Sequence, residues 1–427
     1  MASSPRVLVV GGGLAGLVAA RHLAAGGVDV TLLERREIVG GRVRTAERDG
    51  YRFDRGFQVL FTAYPAVRSE LDLEALDLRR FAPGATIAGP NGRSTLADPL
   101  REPATVPATL SNPHVSVGDA LRIARLWWGL RRTDPNALLA DGEDTSIESY
   151  LRERGFSDRF VEEFLAPFYG GITLDRSLST SSRVFEYTFR TLAAGDIAVP
   201  AAGMGAIPAQ LADRVRELGG TIETETAVES VSSGADGRVA VDTANGATEV
   251  DAVVVATDPP TARELTGVDA VPTEARACVT QYYALPADID LETGRRLLLN
   301  ATDEGPNHVV PHSAVAPAYA PDDRTLVSAT YLGDRAESDA ELADETRSTL
   351  ASWYPNRRFD GLEPIRTERI EFAQFAQPPG FRERLPGARD PTGPIYLAGD
   401  YTRWSSIQGA MESGRQAAKA VIDDLSR

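Results

Sequence analysis

Residues 7–23, VLVVGGGLAGLVAARHL, constrain how this chain begins to fold. Arg6 to Val10 reads as a buried strand, and Leu14 to Ala25 has an alanine-rich helical pattern. Between them, Gly11, Gly13 and Gly16 fit G-x-G-x-x-G. Val28 to Glu34 reads as a second strand ending in an acid, 21 residues after Gly13. Each part has a physical reason. Gly11 allows a tight turn, Gly13 removes the Cβ that would block a pyrophosphate, and Gly16 lets the helix pack against the strand. The start of the helix, with Leu14 and Ala15, offers N–H groups and a partial positive charge to phosphate oxygens. Glu34 is placed to accept from a ribose hydroxyl, and its charge disfavours a 2′-phosphate. The unit predicts an adenine dinucleotide. NAD and FAD both use it, so the choice stays open at this point.

The length of 427 residues suggests two domains, or one interrupted by another. No run of 18 apolar residues occurs, and MASSPRVLVV lacks the pattern of a secretory leader. The single cysteine, Cys278, excludes an internal disulfide and a cysteine metal cluster. These features lead us to expect a cytoplasmic protein. The net charge of −16 argues against nucleic acid as a partner. Lys419 is the only lysine among 45 basic residues. An acidic, lysine-poor surface suggests a halophilic, archaeal cytoplasm, where salt screens self-repulsion. A GC-rich genome is the alternative source of the same bias.

Glu34-Arg35-Arg36-Glu37 leads into Val39-Gly40-Gly41-Arg42. Near the other end, Ile395 to Ala398 reads as a strand entering Gly399-Asp400, followed by Gln408-Gly409-Ala410, Ser413-Gly414 and a helix. Here the sequence resembles the flavin-containing amine oxidase superfamily, which includes phytoene desaturases and protoporphyrinogen oxidases. The resemblance implies noncovalent FAD. It places Gly41 and Arg42 along the pyrophosphate and Asp400 on ribityl or phosphate oxygens. Gln408, Gly409 and Ala410 would lie at the pyrimidine end of the flavin. A segment at Tyr51 to Gln58, with Gly56, Phe57 and Gln58, is similar to one that passes close to the ring. Val228 matches a residue whose backbone contacts adenine.

The implied fold is α/β: a Rossmann-like FAD-binding domain built from residues 1–62, 197–260 and 390–427. An α+β substrate-binding domain, 63–196 and 261–389, is interleaved with it. Within the second domain, helical patterns are clearest at 118–132 and 145–168. Strands are expected at 277–285, 296–301, 307–311 and 325–332, with a helix at 338–353. Gly203-Met204-Gly205 is no second dinucleotide site, because Pro208 takes the third glycine's place. In 118–132, Leu121, Trp127 and Trp128 with flanking arginines read as an ordinary packed helix, tryptophans inward. The other reading is a patch that touches membrane.

The candidates for chemistry are few. Trp404 follows Asp400, and covering the ring and plain packing are equally open to it. His308 and His312 sit four apart in strand-like sequence, and Gln58 belongs to the near-ring segment. No metal pattern appears. Lys419 lies beyond the C-terminal motif, and Cys278 is remote from it in sequence. The expected activity is a desaturase-like dehydrogenation of a large apolar, isoprenoid or carotenoid-like substrate, with oxygen or a quinone accepting electrons. An amine or protoporphyrinogen oxidase is the runner-up. A flavin-free prenyl-binding protein of the same fold is the remote alternative.

Overall fold

The computed structural model describes residues 4–90, 92–97, 102, 112–140, 143–234 and 237–427. Its centre is a five-stranded parallel sheet. The strand order is Thr221–Glu223, Asp29–Leu33, Arg6–Val10, Ala252–Val255, Ile395–Leu397. Val7 to Val10 pair with Val30 to Leu33 on one side and Ala252 to Val255 on the other. Strands buried on both faces should be continuous apolar runs, as Val7 to Val10, Ala252–Val255 and Ile395–Leu397 are, whereas the edge strand Thr221–Glu223 is largely exposed. Helix Leu14–Ala25 packs on this sheet with helices Ala206–Glu217 and Ile407–Leu425. The two chain ends meet closely: a Cβ added to Gly414 would stand 2.2 Å from the Ala15 carbonyl oxygen. This is a Rossmann-like α/β fold assembled from distant segments.

A three-stranded antiparallel sheet, Val228–Ser233, Val239–Thr243 and Gly246–Val250, continues from the parallel one. Its second turn uses Gly246 at φ +119°. In the sequence Asp236-Gly237 reads as the turn between the first two of these strands, and Asp236 lies outside the described residues.

The second large sheet has seven strands, ordered Glu363–Phe375, Ala275–Pro286, Arg324–Leu332, His308–Pro311, Leu298–Asn300, Ala85–Gly89 and Gly92–Leu96. Four of these match the expected strands. Glu363–Phe375 escaped the sequence reading because its thirteen residues, EPIRTERIEFAQF, are largely polar, with only Ile370 and Phe375 buried. The expected helix at 338–353 forms as Asp339–Trp353, with a Ser338/Glu341 capping box.

The helical span at 145–168 divides. Ile147–Glu153 stops before Gly155, which adopts φ +76°. The chain resumes at Asp158 and makes one π-helical turn, Val161–Leu165, before continuing as Ala166–Thr173. Pro167 accounts for the slip, since it has no N–H to give and its ring crowds the preceding turn. The helix at 118–132 forms as Val117–Leu130. Its tryptophans correct the packed-helix reading: Trp127 is half-buried and Trp128 is 52% exposed.

Candidate functional site

A cavity of about 650 Å³ opens at the carboxyl ends of the parallel strands and runs to the seven-stranded sheet. The three fingerprint glycines serve it differently. Gly11 sits at φ +107°, and a Cβ there would meet the Ala256 carbonyl oxygen at 2.7 Å. A Cβ on Gly16 would stand 1.9 Å from the Gly11 carbonyl oxygen. A Cβ on Gly13 would meet nothing within 4 Å, because that residue faces the cavity. Gly13 also caps the first helix without a side chain, and the first turn holds no acid. The positive end of the helix dipole is therefore left open to an anion.

Glu34 is buried and held by its neighbours. One carboxylate oxygen accepts the Gly12 N–H at 2.7 Å, the other the Arg36 N–H at 3.0 Å. The Gly40 N–H donates to the Gly12 carbonyl at 2.7 Å, which ties the second glycine loop to the first. Arg42 follows. Its guanidinium donates to Asp400 Oδ1 at 2.6 Å and to the Ala373 carbonyl at 3.1 Å. Asp400, 3% exposed, also accepts the Ser405 hydroxyl at 2.9 Å. Burial works against the Arg42 charge, yet Asp400 beside it raises its pKa above the ordinary value. This pair joins the two halves of the motif across 358 positions.

Of the residues expected from sequence, Gly11, Gly13, Leu14, Ala15, Glu34, Arg35, Gly41, Arg42, Gly56, Phe57, Gln58, Val228, Gly399, Asp400 and Ala410 line one cavity. Gly16, Gln408 and Gly409 do not. Gln408 is turned into the protein, where its amide oxygen accepts the Ala66 N–H at 2.8 Å. Gly409 is required by packing, since a Cβ would stand 2.1 Å from the Trp404 carbonyl oxygen. Arg35 pairs with Asp258 at 3.2 Å.

Arg55 lines the cavity and was not foreseen. Its pKa is lowered, first by burial and then by Arg36. Arg44 nearby falls to about 10 through burial and the charge of Arg55. Cations thus crowd around this stretch of the wall, and a bound anion would relieve them. The signal was present in Tyr51-Arg52-Phe53-Asp54-Arg55-Gly56, but nothing in that spacing says which arginine turns inward.

At the other end the wall is a rung across four adjacent strands: Leu299 beside His308, His308 beside Thr330, Thr330 beside Thr280. All four line the cavity, with Cys278 and Ile370 one step along. The π-helical turn ends just before Phe168 and Ile172, which also line it. His308 is buried, and burial lowers its pKa to about 4, so the ring is neutral. Asn307 Nδ2 donates to the Pro167 carbonyl at 2.9 Å and lies 3.0 Å from His308 Nδ1. His308 Nδ1 is then an acceptor, and the ring hydrogen is on Nε2. His312 does not share this wall with His308. Pro311 ends the strand, and His312 bonds Ser328 at 2.8 Å outside the cavity wall.

Three buried side-chain atoms in the cavity wall have no partner among the described residues: Gln58 Oε1, His308 Nε2 and Trp404 Nε1. Gln58 is anchored by its amide nitrogen, which donates to the carbonyls of Arg42 and Arg55. Buried polar groups are rarely left unmatched, so these mark where a bound molecule would bond. Cys278 lies in the same wall despite its distance in sequence, and burial pushes its thiol up to about 12. Lys419 is exposed on the last helix and takes no part in the wall.

These features fit an FAD molecule laid along the cavity. An uncapped helix start and Arg42 suit a diphosphate, Glu34 a ribose, and the unmatched groups a polar ring system. Comparison with known proteins agrees. The family model for flavin-containing amine oxidoreductases matches residues 14–422. A 15-cis-phytoene desaturase of an Oncidium hybrid cultivar is 22% identical over 99% of this chain and 78% of its own. A 54-residue segment is 56% identical to a carotenoid 3,4-desaturase of Haloarcula japonica, covering 13% of this chain and 11% of that one. That segment supports the expectation of a halophilic source. An oxidoreductase from Methanosarcina mazei superposes with a TM-score of 0.74 at 19% identity, covering 97% of this chain and 100% of that one. The chain belongs to the flavin-containing amine oxidoreductase family and is an FAD-dependent oxidoreductase.

Proposed function

We propose that this enzyme is a desaturase-type dehydrogenase of a large apolar substrate, of isoprenoid or carotenoid type. The observation that carries the reading is the rung Leu299–His308–Thr330–Thr280, which presents no ionised group to the cavity at neutral pH. Apolar Phe168, Ile172 and Ile370 stand around it. An ammonium substrate would find no carboxylate on this rung to replace its hydration; Glu371 and the free Gln58 Oε1 lie elsewhere in the wall.

FAD, when bound, supplies the two-electron acceptor. The chain's residues bind, orient and exclude water. Gly11, Gly13, Leu14 and Ala15 bring the helix start to the diphosphate, and Gly16 fixes that helix in place. Gly41 and Arg42 add a close backbone and a cation. Glu34 accepts from ribose, Arg35 closes that end through Asp258, and Val228 lies at the adenine. Gly399, Asp400 and Ala410 hold the flavin half, with Gly409 keeping the last helix close. Gly56, Phe57 and Gln58 form the wall beside the ring. His308 presents an N–H, so it orients a bound group and is a poor base at that atom. Trp404 supplies a second N–H and an apolar face. Oxygen or a quinone takes the electrons onward, and the enzyme works in peripheral contact with a membrane.

The second reading is an amine or porphyrinogen oxidase. Trp404 and Tyr64 both line the cavity, but their rings meet at 81° and do not form two parallel faces. The test is anaerobic mixing of the yellow holoenzyme with isoprenoids, porphyrinogens and amines in turn. Bleaching of the flavin by the isoprenoids supports the proposal. Bleaching by simple amines alone overturns it.

A further inference from the structure

Helix Val117–Leu130 has two apolar faces. Asp119, Ile123, Leu126 and Leu130 follow the spacing 4, 3, 4, and that ridge faces inward. Ile123 and Leu126 pack against the buried cluster around Phe160, Leu165 and Phe185, on which Phe168 and Ile172 of the cavity wall also pack. Val117, Leu121, Ala124 and Trp128 repeat the same spacing about 180° round the helix. All four are exposed: Val117 by 70%, Leu121 by 67% and Trp128 by 52%. The other exposed large apolar residues among those described, Ile38 and Leu218, lie elsewhere in the sequence.

The charge around this outer ridge is opposite to that of the chain. From Ser116 to Thr133 there are four arginines, 122, 125, 131 and 132, and one acid. That acid, Asp119, is buried and spent on the capping box with Ser116. Arg122 is tied to the Arg154 carbonyl. Arg125, Arg131 and Arg132 are exposed, and the last two lie over the tryptophan rings. The chain as a whole carries −16, whereas this segment, with four arginines and one acid, is positive and suits an anionic surface.

We infer that the outer ridge of Val117–Leu130 docks in the plane of an anionic lipid bilayer, with Leu121 and Trp128 entering the acyl boundary and the arginines at the headgroups. Size separates this occupant from a protein. The ridge is one helix long and about one helix wide, on the order of 200 Å², whereas a stable protein interface needs about 800 Å² from each partner. A short ridge suffices for interfacial binding when cations flank it. The inner ridge of the same helix packs on the cluster that also backs Phe168 and Ile172 of the cavity wall, so docking turns that side of the substrate end toward the lipid. The docking itself does not depend on which substrate the enzyme takes.

The test is flotation of the holoenzyme with phosphatidylglycerol–phosphatidylcholine vesicles and with pure phosphatidylcholine. Binding is expected to the first and to be much weaker to the second. Leu121→Glu and Trp128→Glu should each weaken it by about tenfold or more, with flavin absorbance unchanged as the sign of an intact fold. Replacing Arg125, Arg131 and Arg132 with glutamine should remove the preference for anionic lipid. In molar salt the preference should fade and the residual binding should rest on Leu121 and Trp128. Equal flotation of wild type and both glutamate variants overturns the proposal. So does a dimer in sedimentation velocity that these variants abolish while no vesicle binding is seen, because the face would then join two copies of the chain.

Discussion

Gly13→Ala should raise the stability of the apoprotein and lower its affinity for FAD. Gly13 has φ −72° and ψ 178°, a conformation alanine adopts without strain. A Cβ there meets no protein atom within 4 Å. The unfolded chain loses freedom, so the apoprotein should gain about 0.4–1 kcal/mol. In the holoenzyme the same methyl group would stand in the cavity, where we propose that the helix start meets the diphosphate. Overpacking of this kind costs about 1–3 kcal/mol, which weakens FAD by about 5- to 150-fold. Gly16→Ala is the contrasting variant. Its Cβ would sit 1.9 Å from the Gly11 carbonyl oxygen, so the apoprotein itself should be destabilised. The assay is thermal unfolding of the deflavinated proteins, followed by titration with FAD by fluorescence quenching. A Gly13→Ala apoprotein that melts below wild type, or that binds FAD with unchanged affinity, would refute the argument.

Arg42→Met should strand the buried Asp400 carboxylate. Breaking a buried pair costs on the order of 3 kcal/mol, and somewhat less here because the Arg42 side chain is 31% accessible; chemical denaturation should show the loss, and Asp400→Asn in the same background should restore part of it. Burial lowers His308 to about 4 and His312 to about 3 from an ordinary 6.5, so the unfolded chain binds more protons in that window. Stability should therefore be full above pH 6.5 and fall as pH drops toward 4, and His308→Gln should flatten the slope in pH-dependent melts. Cys278, pushed up to about 12 by burial, should resist iodoacetamide at pH 8 in the native protein and react on unfolding. Acid precipitation should release all flavin, whereas a flavinylated Cys278 peptide in the mass spectrum would contradict noncovalent binding.

The two glycine motifs were legible because their chemistry is local. A turn, an open helix start and an acid at a strand end each follow from adjacent residues. Gly399 and Asp400 were legible only through the resemblance, which did not foresee the pair with Arg42. What escaped depended on tertiary context. Gln408 belongs to the motif by position, yet its amide is used to anchor Ala66. His312 shares a period with His308, but Pro311 ends the strand between them. Trp127 and Trp128 show helical spacing that suits packing equally well. Only the placed helix reveals that its inner ridge is already filled by Ile123 and Leu126. Strand Glu363–Phe375 was hidden by its charges, which pair across its exposed side.

The order of strands in the parallel sheet has a consequence for biosynthesis. Val255 leaves the ribosome about 140 residues before its neighbour Ile395, or ~7–28 s at ordinary elongation rates. Throughout that interval the nascent chain carries an unpaired apolar edge, Ala252–Val255, that invites wrong partners. On the proposed placement of the cofactor, flavin binding waits as well, since Asp400 has yet to be made. Maturation is therefore a late event, and a message truncated shortly before codon 395 should yield an aggregation-prone, colourless product however much riboflavin the cell holds.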